Sequence, residues 1–103
     1  MKKILIIADG AFARNFLDRL LGAKSNLHHY IVVSNEDHSQ KANYENFTFY
    51  QFDPTSLSKL KGICDGYFSQ FCIVSENKNE AVAVYENLRQ ISTKTKTIFL
   101  NSW

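Results

Sequence analysis

The sequence predicts an α/β domain with a doubly wound parallel sheet, and three observations support this prediction. Short apolar runs alternate along the chain with stretches of helical periodicity, which is typical of strands joined by crossover helices. The first run, residues 3–7, is apolar after Lys3, as expected for a strand buried on both faces. The run ends at a glycine turn, Gly10, and a helical stretch follows at once. Parallel strands connected in this way are expected to pair in the order 3-2-1-4-5.

The first helix is predicted over residues 12–22. Its apolar residues recur on one helical face, while charged residues such as Arg14 lie elsewhere. Gly22 is expected to end this helix as a C-cap. A second strand is predicted over residues 29–33, and the polar stretch that follows it, up to Asn46, is compatible with either a short helix or a loop.

The third strand is predicted over residues 47–52, which are aromatic and alternate in polarity. Asp53-Pro54-Thr55-Ser56 then forms a turn that starts a short helix, with Thr55 or Ser56 as its cap. Gly62 is expected to end the apolar stripe of that helix.

The fourth and fifth strands are predicted over residues 71–74 and 96–100. A helix over residues 79–91 lies between them, and Ser75 or Asn77 is expected to cap it. This helix carries more apolar positions than one buried stripe requires, which favours an interface on its outer face.

Composition limits the function classes. A chain of 103 residues is expected to be one domain, residues 1–103. The formal net charge of +2 is small and basic residues do not cluster, which argues against a nucleic-acid partner. Cys64 and Cys72 lack metal-ligand spacing and are expected to be apolar core residues, so no metal site is predicted. No apolar run reaches the length of a signal peptide or membrane span, so we expect a soluble, cytoplasmic chain.

The turn after the first strand, Ala8-Asp9-Gly10-Ala11-Phe12-Ala13, lies where a Rossmann unit has its glycine fingerprint. Gly10 permits close approach of the backbone to a pyrophosphate, and the helix behind it offers free N–H groups. Alanines replace two of the usual glycines, and the Asp9 carboxylate would repel a diphosphate unless Arg14 offsets it. The turn predicts a nucleotide site, with a turn that binds nothing well as the alternative.

Polar residues also follow the second strand, at the same edge of the predicted sheet. Ser34 lies where an acidic residue commonly holds the ribose hydroxyls of a dinucleotide. A serine makes one hydrogen bond rather than a bidentate contact, and Asn35 or Glu36 can substitute for it. An ordinary strand end followed by a turn is the alternative.

The ends of the third and fourth strands contribute further candidates. Asp53 and Pro54 follow the third strand, where adenine contact and helix capping are both open. Ser75 and Glu76 end the fourth strand beside the same crevice. They are expected to face the phosphates or the second ribose of a ligand, with capping of the next helix as the alternative.

Together these landmarks resemble the TrkA-N/RCK (KTN) family, the N-terminal nucleotide-binding domains of cytoplasmic regulators of potassium channels and transporters. Residues 8–13 are placed like the glycine fingerprint of that family, and Val32-Val33-Ser34 like the end of its second strand. Phe52-Asp53-Pro54-Thr55-Ser56-Leu57 is similar to the family's Gly-Asp-Ala-Thr stretch. Ile73-Val74-Ser75-Glu76-Asn77-Lys78-Asn79 resembles the end of its fourth strand, and the spacing fits over the whole chain.

The resemblance implies a non-enzymatic regulatory domain that binds NAD(H) or ATP/ADP and gates a membrane potassium channel or transporter subunit. It implies a homodimer or higher homo-oligomer through the helix at residues 79–91. We expect that helix and Trp103 to lie near the contact, and Leu88→Asp to dissociate the dimer. Because family domains continue with another helix and strand, the chain is expected to be truncated after strand five. The candidate cofactor-binding residues are Ala8, Asp9, Gly10, Ala11, Phe12, Ala13, Ser34, Asn35, Asp53, Pro54, Ser75 and Glu76.

Two functions of other classes stay open. The chain could be the cofactor half of an NAD(P)-dependent oxidoreductase or epimerase, although no nucleophile with a matching base is recognisable in the sequence. It could also be a Rossmann interaction scaffold with a degenerate site, a reading that Ala8, Asp9 and Ser34 favour.

Overall fold

The sheet is parallel, with the strand order β3-β2-β1-β4-β5, in the computed structural model, which describes residues 2–22, 28–38, 46–64 and 66–101. Within those residues the fold class and strand order predicted from the sequence are confirmed. The strands are β1 (Lys2–Asp9), β2 (His28–Ser34), β3 (Phe47–Gln51), β4 (Gln70–Ser75) and β5 (Lys96–Asn101). The helices are α1 (Ala11–Gly22), α2 (Leu57–Ile63) and α3 (Lys78–Ile91).

The register of the strands brings their carboxyl ends to one edge of the sheet. Ile7 of β1 lies between Val33 of β2 and Ile73 of β4. Two residues later, Asp9 is paired with Ser75 at the end of β4. Since every described pairing is parallel, the turns that follow β1, β2 and β4 meet at this edge.

Each face of the sheet has its own apolar layer. Alternate residues of the central strands, such as Leu5 and Ile73, pack beneath α2 and α3. Their neighbours, such as Ile6 and Val74, pack beneath α1. Because helices cover both faces, the central strands are apolar at nearly every position, which is the pattern that made β1 recognisable in the sequence. Cys72 is buried in the layer beneath α1, and burial raises the pKa of its thiol to about 11.

Two glycines were predicted to end helices, and one of these predictions is wrong. Gly62 lies inside α2, which continues to Ile63, instead of ending it. Gly62 is exposed, and apart from its chain neighbours and the nearby helix backbone no described atom lies within 4 Å of where a Cβ would be. Gly22 is the last residue of α1, as predicted, but it does not have the positive φ of a left-handed C-cap. The predicted loop or helix before Asn46 falls largely on residues 39–45, which lie outside the described residues.

Helix α3 buries one face and exposes another. Ala81, Val84 and Leu88 face the sheet, and Leu88 is 0% exposed. The prediction that Leu88 lies at a dimer contact is therefore wrong, because its side chain belongs to the core beneath α3. Val82, by contrast, is 43% exposed.

The outer apolar surface extends from α3 to the edge strand β5. Phe99 of β5 is 37% exposed, and its ring centroid lies 5.3 Å from that of Tyr85 in α3. Val82, Tyr85 and Phe99 form what we call the α3–β5 patch. Trp103, the other residue expected near a dimer contact, lies outside the described residues. None of the described helices combines the length and apolar character needed to cross a membrane.

Candidate functional site

The site is the crevice where strand β1 ends and helix α1 begins. The chain leaves β1 at Asp9, turns at Gly10 and enters α1 at Ala11. Gly10 has a φ of 92°, which side chains other than glycine rarely adopt, so the sequence needs a glycine here. The sheet continues to β2 on one side of β1 and to β4 on the other, so this turn lies at the point where strand order reverses. The prediction of Gly10 at the first strand–helix turn is confirmed.

Two carboxylates of the chain accept hydrogen bonds from backbone amides at the start of α1. The N–H of Gly10 donates a hydrogen bond to Glu36 Oε1 at 2.9 Å. The N–H of Phe12 donates to Glu76 Oε1 at 2.6 Å. Helix N-termini attract anions because their first N–H groups lack partners within the helix and the helix dipole is positive there. In this structure the protein supplies those anions itself, from the ends of β2 and β4.

Arg14 is held by one of these carboxylates. Its guanidinium donates to Glu36 Oε2 at 2.7 Å, one helical turn beyond Gly10. The Arg14 guanidinium, together with the Gly10 N–H, lowers the pKa of the Glu36 carboxyl below its ordinary value. The sequence suggested that Arg14 would offset the charge of Asp9, but the pairing that forms is with Glu36.

Asp9 ties the end of β1 to the end of β2. Its Oδ1 accepts hydrogen bonds from the Asn35 N–H at 2.9 Å and from the Ser34 hydroxyl at 3.2 Å. Burial nevertheless raises the pKa of Asp9, and the nearby Glu80 and Glu36 charges raise it further. The carboxylate at this turn therefore has a structural role, and its burial disfavours the charged form.

Ser34 is buried, so its side chain is not accessible from the crevice. It is 0% exposed, and its Oγ also accepts from the Glu36 N–H at 3.0 Å. The buried His38 places its Nε2 3.3 Å from the same oxygen. Asp9, Ser34 and His38 therefore form a connected polar chain. The hydroxyl is inaccessible and donates to the Asp9 carboxylate, so the arrangement ties the chain after β2 to the end of β1.

The residues after β3 form a local turn. Asp53 Oδ1 accepts from the Thr55 N–H at 2.9 Å and from its hydroxyl at 2.7 Å, and these bonds lower the Asp53 pKa. Ser56 is the N-cap residue of α2, but its side chain makes no capping bond. Pro54 is fully buried. These hydrogen bonds give Asp53 a structural role in the turn. Adenine contact by Asp53 stays a prediction.

The residues after β4 prepare the start of α3. Asn77 is the N-cap of α3 and accepts from the Glu80 N–H at 3.1 Å, which confirms one of the two predicted caps. Ser75 is buried, and its Oγ accepts from the Asn77 N–H at 3.1 Å. Glu76 is exposed and extends over the turn at Gly10.

The candidate residues divide by accessibility, and the structure brings only some of them together at the crevice. Those that reach the surface are Asp9, Gly10, Ala11, Phe12, Asn35, Asp53 and Glu76. Those that are buried are Ala8, Ala13, Ser34, Pro54 and Ser75. Nucleotide contact by any of them stays a prediction. Within the described ranges, no group of three or more His, Cys, Asp or Glu side chains is arranged to hold a metal ion.

Glu36 is the functional residue that the sequence analysis underestimated. The sequence suggested it as a substitute ribose contact, whereas its carboxylate accepts hydrogen bonds from the Gly10 N–H and from the Arg14 guanidinium. The signal was its position two residues beyond β2, because neighbouring parallel strands end side by side.

Comparisons with known proteins support the fold. No family model and no curated protein matches the chain significantly. Among solved structures, the chain is similar to a candidate epimerase from Bacteroides thetaiotaomicron, with a TM-score of 0.60 and 21% sequence identity. The alignment covers 97% of this chain and 46% of that protein, so the chain spans less than half of its length. This chain therefore has a Rossmann-like α/β fold.

We expect Asp9→Asn to stabilise the protein at neutral pH. The amide oxygen keeps both acceptor roles of Asp9, while the buried charge is removed. Because the folded-state pKa of Asp9 is raised, the wild type recovers stability as pH falls through that pKa toward the ordinary value of 3.8. The advantage of the variant is therefore present at pH 7 and lost in acid, as denaturant melts at several pH values would show.

Asp53→Asn is the matched control for this prediction. The Asp53 pKa is lowered in the folded state, so its charge stabilises the protein above the ordinary carboxyl pKa. That contribution disappears as pH falls through the folded-state value, and the asparagine variant should be the less stable one at pH 7. A shift of the same sign for both variants would contradict the assignment of opposite environments.

Proposed function

We propose that this chain is a ligand-sensing domain that binds a nucleotide, NAD(H) or ATP/ADP, in the crevice beside Gly10 and catalyses no reaction. The observation that carries the proposal is the turn itself. A positive-φ glycine presents a backbone N–H at the start of α1, at the reversal point of a parallel sheet. This is the combination by which Rossmann-like domains hold a pyrophosphate.

The contacts around the crevice suggest how binding would be transmitted. Ligand phosphates would accept hydrogen bonds from the Gly10 and Phe12 amides and from the Arg14 guanidinium. Because these donors now bond to Glu36 and Glu76, both glutamates would have to move. Glu36 belongs to the connection after β2, and Glu76 directly precedes α3. A ligand with different affinities for the two arrangements shifts their populations, and the start of α3 would be among the parts that respond.

The partners in this proposal come from the resemblance and from the α3–β5 patch. The exposed apolar side chains of Val82 and Phe99 support a homodimer through this surface. The resemblance to regulators of potassium transport supports a membrane channel or transporter subunit as the partner, with the domain bound at the cytoplasmic side of the membrane. Nucleotide-dependent movement at α3 would then alter the assembly that gates the transporter.

Nucleotide titration followed by thermal unfolding tests the sensing function. A ligand at 100 times its Kd should stabilise the fold by about 2.7 kcal/mol. For a domain of this size each 1 kcal/mol corresponds to about 4–8 °C in Tm, so the shift would be unmistakable. NADH, NAD, ATP, ADP and AMP are compared, with chemical analysis of the ligand after incubation. A flat series across all five would overturn the proposal.

A second candidate function is supported by the fold likeness to the candidate epimerase. In that case the chain would be the cofactor half of an NAD(P)-dependent oxidoreductase or epimerase. Stabilisation by NAD(P) together with turnover of an oxidoreductase or epimerase substrate would favour it, whereas binding without turnover favours sensing. A third possibility is an interaction scaffold with a degenerate site. The hydrogen bonds from the α1 amides to Glu36 and Glu76 favour it, and the absence of a thermal shift with all five nucleotides would support it.

A further inference from the structure

Glu36 uses both of its carboxylate oxygens at the start of α1. Oε1 accepts from the Gly10 N–H at 2.9 Å and Oε2 accepts from Arg14 at 2.7 Å. A backbone amide at a helix N-terminus and a neighbouring guanidinium are also the donors that hold phosphate oxygens in proteins. The Glu36 carboxylate therefore accepts the hydrogen bonds that a bound phosphate group would need.

Glu76 reaches the same turn from the other side. It accepts from the Phe12 N–H, and its carboxyl carbon lies 3.2 Å from where a Cβ on Gly10 would be. The two glutamates thus cover the turn from the β2 side and from the β4 side. Neither is locked in the core, since Glu76 is exposed and the Glu36 side chain is 30% exposed. Rotation of the side chains can uncover the amides without unfolding either strand.

We propose that Glu36 and Glu76 are built-in competitors for the anion site of the crevice, so that a phosphate-bearing ligand binds only by displacing both carboxylates. The inference deepens the proposed function and rests on it for the nucleotide, but the anion site can be tested without a nucleotide. The displaced carboxylates remain close to the ligand and repel it, so each phosphate contributes less affinity than at an open helix N-terminus. The glutamates thereby set both the threshold for binding and the preference among ligands of different charge.

Inorganic pyrophosphate is the probe that separates the two proposals. We compare wild type, Glu76→Ala and the double variant Glu36→Ala/Glu76→Ala by isothermal titration calorimetry at low ionic strength without divalent cations. We expect the double variant to bind pyrophosphate at least about tenfold more tightly than wild type, which corresponds to about 1.4 kcal/mol. The single variant should fall between them. Adding Arg14→Ala to the double variant should reverse most of the gain.

Glu86→Ala is the matched control, because Glu86 is another exposed glutamate, two helical turns along α3 from the crevice. It removes the same charge but should leave pyrophosphate affinity unchanged. Equal affinities in wild type and the double variant would overturn the inference, as would an equal gain in Glu86→Ala, which would indicate only a change in net charge. If the double variant does not fold, Glu76→Ala alone tests whether pyrophosphate affinity rises. This variant should fold, since Glu76 makes one hydrogen bond at the surface.

The outcome for the proposed function is read separately, from nucleotide stabilisation. A double variant that binds pyrophosphate while neither it nor wild type is stabilised by any nucleotide would support the inference and reject nucleotide sensing. Wild-type stabilisation by a nucleotide, with no gain in the double variant for nucleotide or pyrophosphate, would reject the inference and keep the proposed function.

Discussion

Leu88→Asp is expected to unfold the domain. Leu88 is fully buried between α3 and the sheet, where it packs in the same cluster as Leu5 and Ile73. Truncation of a buried leucine to alanine costs about 2–5 kcal/mol, and an unpaired carboxylate at the site adds a further desolvation cost. Because domains of this kind are stable by only about 5–15 kcal/mol, circular dichroism at 25 °C should show loss of cooperative folding.

Val82→Asp is the matched variant on the outer face of the same helix. Val82 is 43% exposed, so the added charge meets solvent and the fold should survive. If the α3–β5 patch holds a homodimer, this charge should dissociate it, and sedimentation equilibrium should show a monomer. A wild-type protein that is monomeric at high concentration would contradict the dimer, and a Leu88→Asp protein that folds normally would contradict the burial of Leu88.

Gly10→Val is expected to abolish stabilisation by nucleotides and to lower the stability of the protein itself. A β-branched residue at a φ of 92° is strained by about 1–3 kcal/mol. Its Cβ would also lie 3.2 Å from the carboxyl group of Glu76, which would have to move. The side chain would then stand in the path by which a phosphate approaches the α1 amides, so thermal shifts should be absent with every nucleotide.

Gly66→Val separates the two effects. Gly66 has a φ of 99°, so valine is strained there to a similar degree, but apart from its chain neighbours no described residue has an atom within 4 Å of the new Cβ. The glycine precedes β4 and therefore lies at the opposite edge of the sheet from the crevice. The variant should lose stability while keeping the nucleotide shift of wild type. Loss of the shift in both variants would show that strain, and not access to the amides, is responsible.

Local patterns were sufficient to predict most of the elements. The apolar run before Gly10 predicted a doubly covered strand because a central parallel strand buries side chains on both faces. Asn77 was predictable as a cap because its side chain bonds to the Glu80 amide only three residues away. Gly62 shows the limit of such reasoning, since a glycine predicted to end α2 lies within it.

The partners of the crevice were not predictable in the same way. Glu36 bonds to Gly10, 26 residues earlier, and Glu76 bonds to Phe12, 64 residues earlier. Neither contact leaves a periodic signal in the sequence. The sequence also could not distinguish Leu88 from Val82, because both are apolar residues of one amphipathic helix and the docking of that helix decides which is buried.

The sequence by itself determined the parallel α/β architecture, the strand order and the glycine turn, because these follow from short-range patterns and from the handedness of crossover connections. Only the tertiary structure decided what faces that turn. The register between β1 and its two neighbours places Asp9 beside Ser75 and brings the chain after β2 to Gly10. Contacts between residues far apart in sequence depend on that register, and they filled the predicted anion site with the protein's own carboxylates.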